Sequence, residues 1–149
     1  MLDQFRSLFQ GGELGYGEWS QQRGPGEEAL TKKGPVPLAA YERHLSGEVG
    51  LGLVPVTVAG TCHFAAIDID VDTINHQTLF AEVVRRRLPL HVCRSKSGGA
   101  HLYLFPKEPM QAGQVQALLR RWAGVLGYPK AEIFPKQVRI SGDSIGNWI

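Results

Sequence analysis

Three short segments hold the side chains best suited to chemistry. They are Asp68-Ile69-Asp70, Ser95-Lys96-Ser97-Gly98-Gly99-Ala100-His101, and Glu132 within Ala131-Glu132-Ile133-Phe134-Pro135-Lys136-Gln137. On a strand, residues i and i+2 share a face, with alpha carbons roughly 6.5–7 Å apart. Asp68 and Asp70 would therefore stand side by side while Ile69 enters the core. Two carboxylates so placed repel by on the order of a few kcal/mol in a half-dry site, unless one keeps its proton or a cation lies between them. Hard divalent ions are bound by such carboxylates together with substrate phosphates. In the second segment, glycines let the backbone approach a ligand, and Ser, Lys and free N–H groups suit a phosphate. His101 would face the same rim from the start of the next strand. Glu132 lies between apolar residues, where burial is costly and a metal would relieve it. Each segment also has a plainer reading: a surface turn shared with Asp72, a β-hairpin with a glycine turn, and an edge strand with Glu132 facing water. Together they describe a carboxylate-bound metal pair beside a triphosphate pocket. Such a pair stabilises the attacking and leaving oxygens of an in-line phosphoryl displacement.

Periodicity supplies the elements that would hold these groups. Leu2, Phe5, Leu8 and Phe9 recur at helical spacing, and Gly11-Gly12 stops that helix. The glycine-rich sequence from there to Pro35 is expected as a long loop or mobile segment. Leu38–Leu45 reads as a short helix and Val49–Val58 as one or two short strands. Phe64–Asp70 is a buried strand ending in acids. Ile74–Leu88 is a helix with Leu79, Val83 and Val84 inward, with Arg85-Arg86-Arg87 near its C-terminus, where cations suit the dipole, and Pro89 closing it. Leu90–Arg94 and Ala100–Phe105 are strands flanking the Ser95–Gly99 turn. Gln111–Leu126 is a second helix, with Val115, Leu118, Leu119, Trp122 and Val125 inward and Gly127 as its stop. Ala131–Phe134 is a short final strand. Strand, helix, strand, strand, helix, strand is the split βαβ order, with the first and third strands central. The expected fold is α+β: an N-terminal α/β extension over residues 1–60 and an RRM-like, ferredoxin-like catalytic module over 61–149.

Composition sets the outer bounds. The chain has 149 residues, 43% hydrophobic and 20% charged, which is a folded globular composition of one-domain size. The apolar run Val49–Gly60 is short and broken by Gly50, Gly52 and Pro55, so no membrane segment is expected. Met1–Arg6 shows no signal-peptide pattern, and Cys62 and Cys93 cannot build a disulfide scaffold. A reduced, cytoplasmic setting follows. Residues 1–60 carry a net charge of −2 and residues 61–149 a net of +4. That asymmetry is compatible with a polyanionic partner and equally with solvated helix faces.

The three segments resemble the motifs of the archaeo-eukaryotic primase superfamily, the primase-polymerases: hydrophobic-Asp-hydrophobic-Asp, a Ser-x-His-like segment, and hydrophobic-Asp/Glu. Further likeness, to the primases of TOTE conflict systems and to CRISPR-associated primase-polymerases, lies in Leu8-Phe9-Gln10-Gly11, His44-Leu45-Ser46-Gly47, Phe134-Pro135-Lys136-Gln137 and Gly146-Asn147. The resemblance covers about residues 5–149. It implies that Asp68, Asp70 and Glu132 are the catalytic acids and bind Mg²⁺ or Mn²⁺, and that Ser97 and His101 contact the phosphates of an incoming nucleoside triphosphate. Lys96, Lys136 and Arg139 are helpers on physical grounds, since Lys and Arg bind phosphate well. A DNA template-primer, or RNA, would be the other substrate. Two departures stand out: the glycine-rich stretch replaces an acidic Arg-Glu-Asp-type segment of relatives, and relatives continue past the apolar run Ile145–Ile149, so further domains beyond residue 149 are expected. Two alternatives remain at this point. One is an RRM-type module that stacks bases on Phe64, Tyr103 and Phe105; the other is a primase-like domain that binds nucleotide without turnover.

Overall fold

The computed structural model describes residues 1–20, 29–71, 73–142 and 144–149. Among these the chain forms, in order, α1 (Leu2–Leu8), β1 (Gly15–Ser20), β2 (Leu30–Lys33), α2 (Leu38–Leu45), β3 (Val49–Gly52), β4 (Thr61–Cys62), β5 (Ala65–Ile69), α3 (His76–Arg85), β6 (His91–Arg94), β7 (Ala100–Leu104), β8 (Met110–Gln111), α4 (Ala112–Val125) and β9 (Glu132–Phe134). The fold is mixed α/β, and the paired strands are antiparallel.

A four-stranded sheet in the order β6-β7-β5-β9 is the frame of the site. Ala65, Ile67 and Ile69 of β5 pair with Leu104, Leu102 and Ala100 of β7, giving one wholly apolar face. Helices α3 and α4 cover that face with Leu79, Val83, Val115, Leu119 and Ala123. Each large apolar side chain so buried stabilises the fold by roughly 1.5–3 kcal/mol. Because strand residues alternate, Ala66 and Asp68 point to the other face.

The helices are narrower in their apolar contact than periodicity implies. Val84, expected inward, is 57% exposed, and Val125, also expected inward, is 43% exposed. Each helical step turns about 100°, so Val84 falls outside the stripe that Leu79 and Val83 define. Helix α3 begins at Asn75, whose side chain accepts from the Thr78 N–H at 3.0 Å, a cap worth about 1 kcal/mol. It stops earlier than Pro89 requires, because Arg87 adopts a left-handed φ of 53°.

The glycine-rich stretch is not all loop. It contains β1 and β2, which join β3 in a second sheet of order β2-β1-β3, while residues 21–28 lie outside the described set. Its glycines make room for the C-terminal segment. A Cβ at Gly17 would lie 2.4 Å from the Trp148 ring, and one at its register partner Gly52 would lie 2.3 Å from it. The Trp148 indole N–H donates to Thr31 Oγ1 at 3.1 Å, and Leu53 and Ile149 exchange two backbone hydrogen bonds. The pair β4 and β8 was not anticipated.

The face of the four-stranded sheet opposite α3 and α4 is partly covered by the N-terminus. Phe9 sets its ring against Phe64, Tyr103 and Phe105, each at 5.2 Å between centroids. Tyr41 and Leu53 join Phe64 in that second core, and Val54 and Val56 join Cys62 in the first. Both cores therefore draw on residues from either side of Gly60. Among the described residues no helix is long and apolar enough to cross a membrane.

Candidate active site

The uncovered end of that same sheet face carries the acids. Asp68 on β5 is the register partner of His101 on β7 and of Glu132 on β9. Direct partners on adjacent strands share a face, and the strands lie about 4.8 Å apart. His101, Asp68 and Glu132 thus form a row across three strands. Asp70 stands just past the end of β5 on the same rim, where Ser97 Oγ donates to its Oδ1 at 3.3 Å.

The Ser95–Gly99 turn is held tightly against the end of β5. The Ser95 N–H donates to the Gly99 carbonyl at 2.9 Å, and Gly98 takes a φ of +97° that suits glycine. A Cβ at Gly99 would sit 2.2 Å from the Ile69 carbonyl oxygen, so only glycine allows the approach. His76, at the start of α3, donates from Nε2 to the Gly99 carbonyl at 2.9 Å. Lys96 and Ser97 are thereby presented at the rim. The Lys96 ammonium lies 3.5 Å from the centre of the Trp19 ring, a cation–π contact of about 0.5–2 kcal/mol.

The electrostatics follow from crowding. Burial pushes the Asp68 carboxyl up from its ordinary value; Asp70 and Glu132 add to the shift, whereas His101 and Lys136 oppose it. His101 Nε2 lies 3.4 Å from Asp68 Oδ1, and Lys136 Nζ lies 2.8 Å from Glu132 Oε2. The other nitrogen of His101, Nδ1, is 3.1 Å from the Tyr103 hydroxyl. Among the described residues no three His, Cys, Asp or Glu side chains are gathered closely enough to hold an ion. The carboxylates share a rim, but each turns to its own neighbour.

Two depressions flank the row. On the β7 side is a cleft of about 490 Å³ between the two sheets, bounded by Trp19, Gly50, Lys96, His101 and Trp148. On the β9 side is one of about 320 Å³ that includes Asp68, Asp70, Glu132 and Tyr128.

The sequence-derived candidates thus fall into three groups. Asp68, Asp70, Glu132, Ser97 and His101 share one rim, with Lys96 on the Ser97 flank. Lys136 lies on the opposite flank, paired with Glu132. Arg139 is exposed, and none of the described contacts ties it to the rim. Asp72 lies outside the described residues. Three supporting residues were missed. Tyr103 could have been found from its i,i+2 spacing to His101. His76 and Gln116 carry no local signal. The Gln116 amide donates to the carbonyls of Pro135 and Lys136 at 2.9 and 3.0 Å, fixing the segment that carries Lys136.

The remaining motif segments have structural duties. Gln137 and Asn147 pair through their side chains, and the Asn147 N–H donates to Gln137 Oε1 at 3.0 Å. His44 Nδ1 meets the Val49 carbonyl at 3.1 Å across the turn between α2 and β3.

Comparison with known families bears on this arrangement. The model of the TOTE conflict system archaeo-eukaryotic primase domain matches residues 20–149. The chain belongs to this family, whose members are associated with primase-like nucleotidyl transfer. No curated protein matches the chain significantly.

Proposed function

We propose that this domain is the catalytic core of a primase-polymerase, transferring nucleotides from deoxy- or ribonucleoside triphosphates onto the 3′-hydroxyl of a DNA or RNA strand. The observation that carries the reading is the cross-strand row of His101, Asp68 and Glu132, with Asp70 and Ser97 beside it. The sheet order β6-β7-β5-β9, with helices after β5 and before β9, supports a split βαβ module over residues 61–149. Residues 1–60 then act as an extension that supplies the far wall of the cleft.

Asp68, Asp70 and Glu132 are the residues that would hold Mg²⁺ or Mn²⁺. The donor set fits in kind: carboxylate oxygens are hard ligands, and beside the burial that raises the Asp68 carboxyl, Asp70 and Glu132 add negative charge that a cation would offset. Such ions lower the pKa of the attacking hydroxyl and neutralise the departing pyrophosphate. The protein's own contribution is positioning. Ser97, His101 and Lys96 orient the triphosphate, with Lys96 moving from Trp19 to phosphate, and the Gly98-Gly99 backbone leaves space for it. The setting in which this would operate is cytoplasmic.

Primer extension in Mn²⁺ tests the reading. Asp68→Ala and Asp70→Ala should each cost at least about a hundredfold in rate, the scale of losing a group that stabilises developing charge. Extension by the double variant at the wild-type rate would overturn the assignment. A second reading, nucleotide binding without turnover, is favoured by the Glu132–Lys136 pairing, which keeps one acid turned outward. Calorimetric nucleotide binding in Mn²⁺ with no incorporation would select it.

A further inference from the structure

We infer that the strand to be extended approaches over the β9 edge, with its terminal nucleotide against Tyr128 and its backbone phosphates on Arg120 and Lys130. The inference rests on the nucleotidyl-transfer reading above. In an in-line displacement the attacking oxygen and the leaving pyrophosphate lie on opposite sides of the phosphorus. Lys96, Ser97 and His101, the groups suited to a triphosphate, all belong to the β6–β7 hairpin on one flank of Asp68. The attacking 3′-hydroxyl therefore comes from the other flank, the side of β9.

That flank has the shape and charge for a nucleic-acid end. Its depression of about 320 Å³ is bounded by Asp68, Asp70, Glu132, Tyr128, Pro129 and Lys130, within the usual size range for a small ligand site. It runs through Pro129–Glu132 into a second depression of about 370 Å³, where Arg120, Lys130 and Lys136 stand. Beyond Glu132 the charged groups along this path are cations, complementary to a phosphodiester backbone. Tyr128 is half-buried, and its backbone is fixed: its N–H donates to the Ala123 carbonyl at 2.8 Å, and its carbonyl accepts from Ala131 at 3.0 Å. Tyr128 packs partly against the core and lines the same depression as the acids, so the exposed part of its ring can meet a base there.

The test is anisotropy of a labelled 3′-recessed primer–template in Mn²⁺ without nucleotide, over a salt series, set beside steady-state extension. Arg120 and Lys130 are exposed, so Arg120→Ala/Lys130→Ala should keep the wild-type melting temperature. Its salt slope should become shallower by roughly 0.7–0.9 per lost phosphate contact. Primer KM should rise while nucleotide KM stays constant, and Lys96→Ala should do the reverse. Tyr128→Ala should weaken primer binding by roughly ten- to hundredfold, with Tyr128→Phe restoring it. An unchanged slope and primer affinity in the double variant, or a change confined to nucleotide KM, would overturn the inference. If the wild-type domain extends primers and Asp68→Ala does not, while the Arg120 and Lys130 variants are silent, the inference fails and the function stands. If the wild-type domain extends nothing, the function fails and the inference fails with it.

Discussion

His101 has both ring nitrogens engaged, and its partners assign its tautomer. Burial pushes the Tyr103 phenol up to about 12, so it remains an O–H donor throughout the working range. In a neutral imidazole Nδ1 then accepts from Tyr103, which leaves the proton on Nε2, 3.4 Å from Asp68 Oδ1. Tyr103 is thus a positioning residue for His101. Tyr103→Phe keeps the ring that packs against Phe9 and Phe105, so stability should change by no more than about 1 kcal/mol. A freed imidazole that can rotate or switch tautomer should lower kcat/KM for nucleotide by about tenfold, mainly through KM, with primer KM unaffected. Equal loss in both KM values, or none, would deny Tyr103 this role. His101 and Asp68 were legible in the sequence because strand alternation is strict and both belong to one narrow pattern. The use of Tyr103 was legible only in part: its i,i+2 spacing places it on the face of His101, but its ring also fits the pattern of a base-stacking face, and only the position of Phe9 separates the two.

Gly17 and Gly52 show how an element's sequence can mislead. Glycine clusters ordinarily mark turns, yet these two sit opposite each other in β1 and β3 because Trp148 lies across them. The partner is about 130 positions away in sequence for Gly17, so no local window contains the reason for the glycine. The same applies to Gly15, where a Cβ would meet Ile145 at 2.4 Å. By contrast, α4, β5, β7 and β9 were readable, because each carries its own buried residues at the right period; α2 was readable as a helix, but of its expected stripe Leu38, Tyr41 and Leu45 only Tyr41 is buried. The inward assignment of Val84 and Val125 failed because periodicity reports which residues are apolar, not how wide a face the sheet can cover. The glycine seat predicts strong coupling. Gly52→Ala should destabilise by about 1–3 kcal/mol through overpacking, and Trp148→Ala by about 2 kcal/mol, less than a fully buried tryptophan would cost. Once Trp148 is gone the added methyl has space, so the double variant should be close to Trp148→Ala alone. Denaturant titration of the four proteins measures this coupling; simple additivity would mean that Trp148 does not rest on Gly52.

The two sheets together decide which surface can meet nucleic acid. An RRM-type module needs open sheet aromatics. Here Phe64 is fully buried, and Tyr103 and Phe105 lie edge-on to Phe9, itself packed with Phe5 against Tyr41. The N-terminal segment thus closes the part of the face where bases would stack and leaves open the part where Asp68, Asp70 and Glu132 stand. Those acids repel phosphates unless a cation intervenes, so nucleic-acid binding should depend on divalent metal and not on the covered aromatics. Phe105→Ala should cost about 2–3 kcal/mol of stability, toward the lower end for a large aromatic because the ring is half-buried. Its affinity for primer–template in Mn²⁺ should stay within about twofold of wild type at a temperature where both are folded, since a lost stacking base would cost more than that. Chelation should weaken binding in both proteins alike. Tight binding that survives chelator and falls in the Phe105 variant would mean that the N-terminal segment lifts from the sheet, and that the aromatic face, not the acid rim, is the working surface.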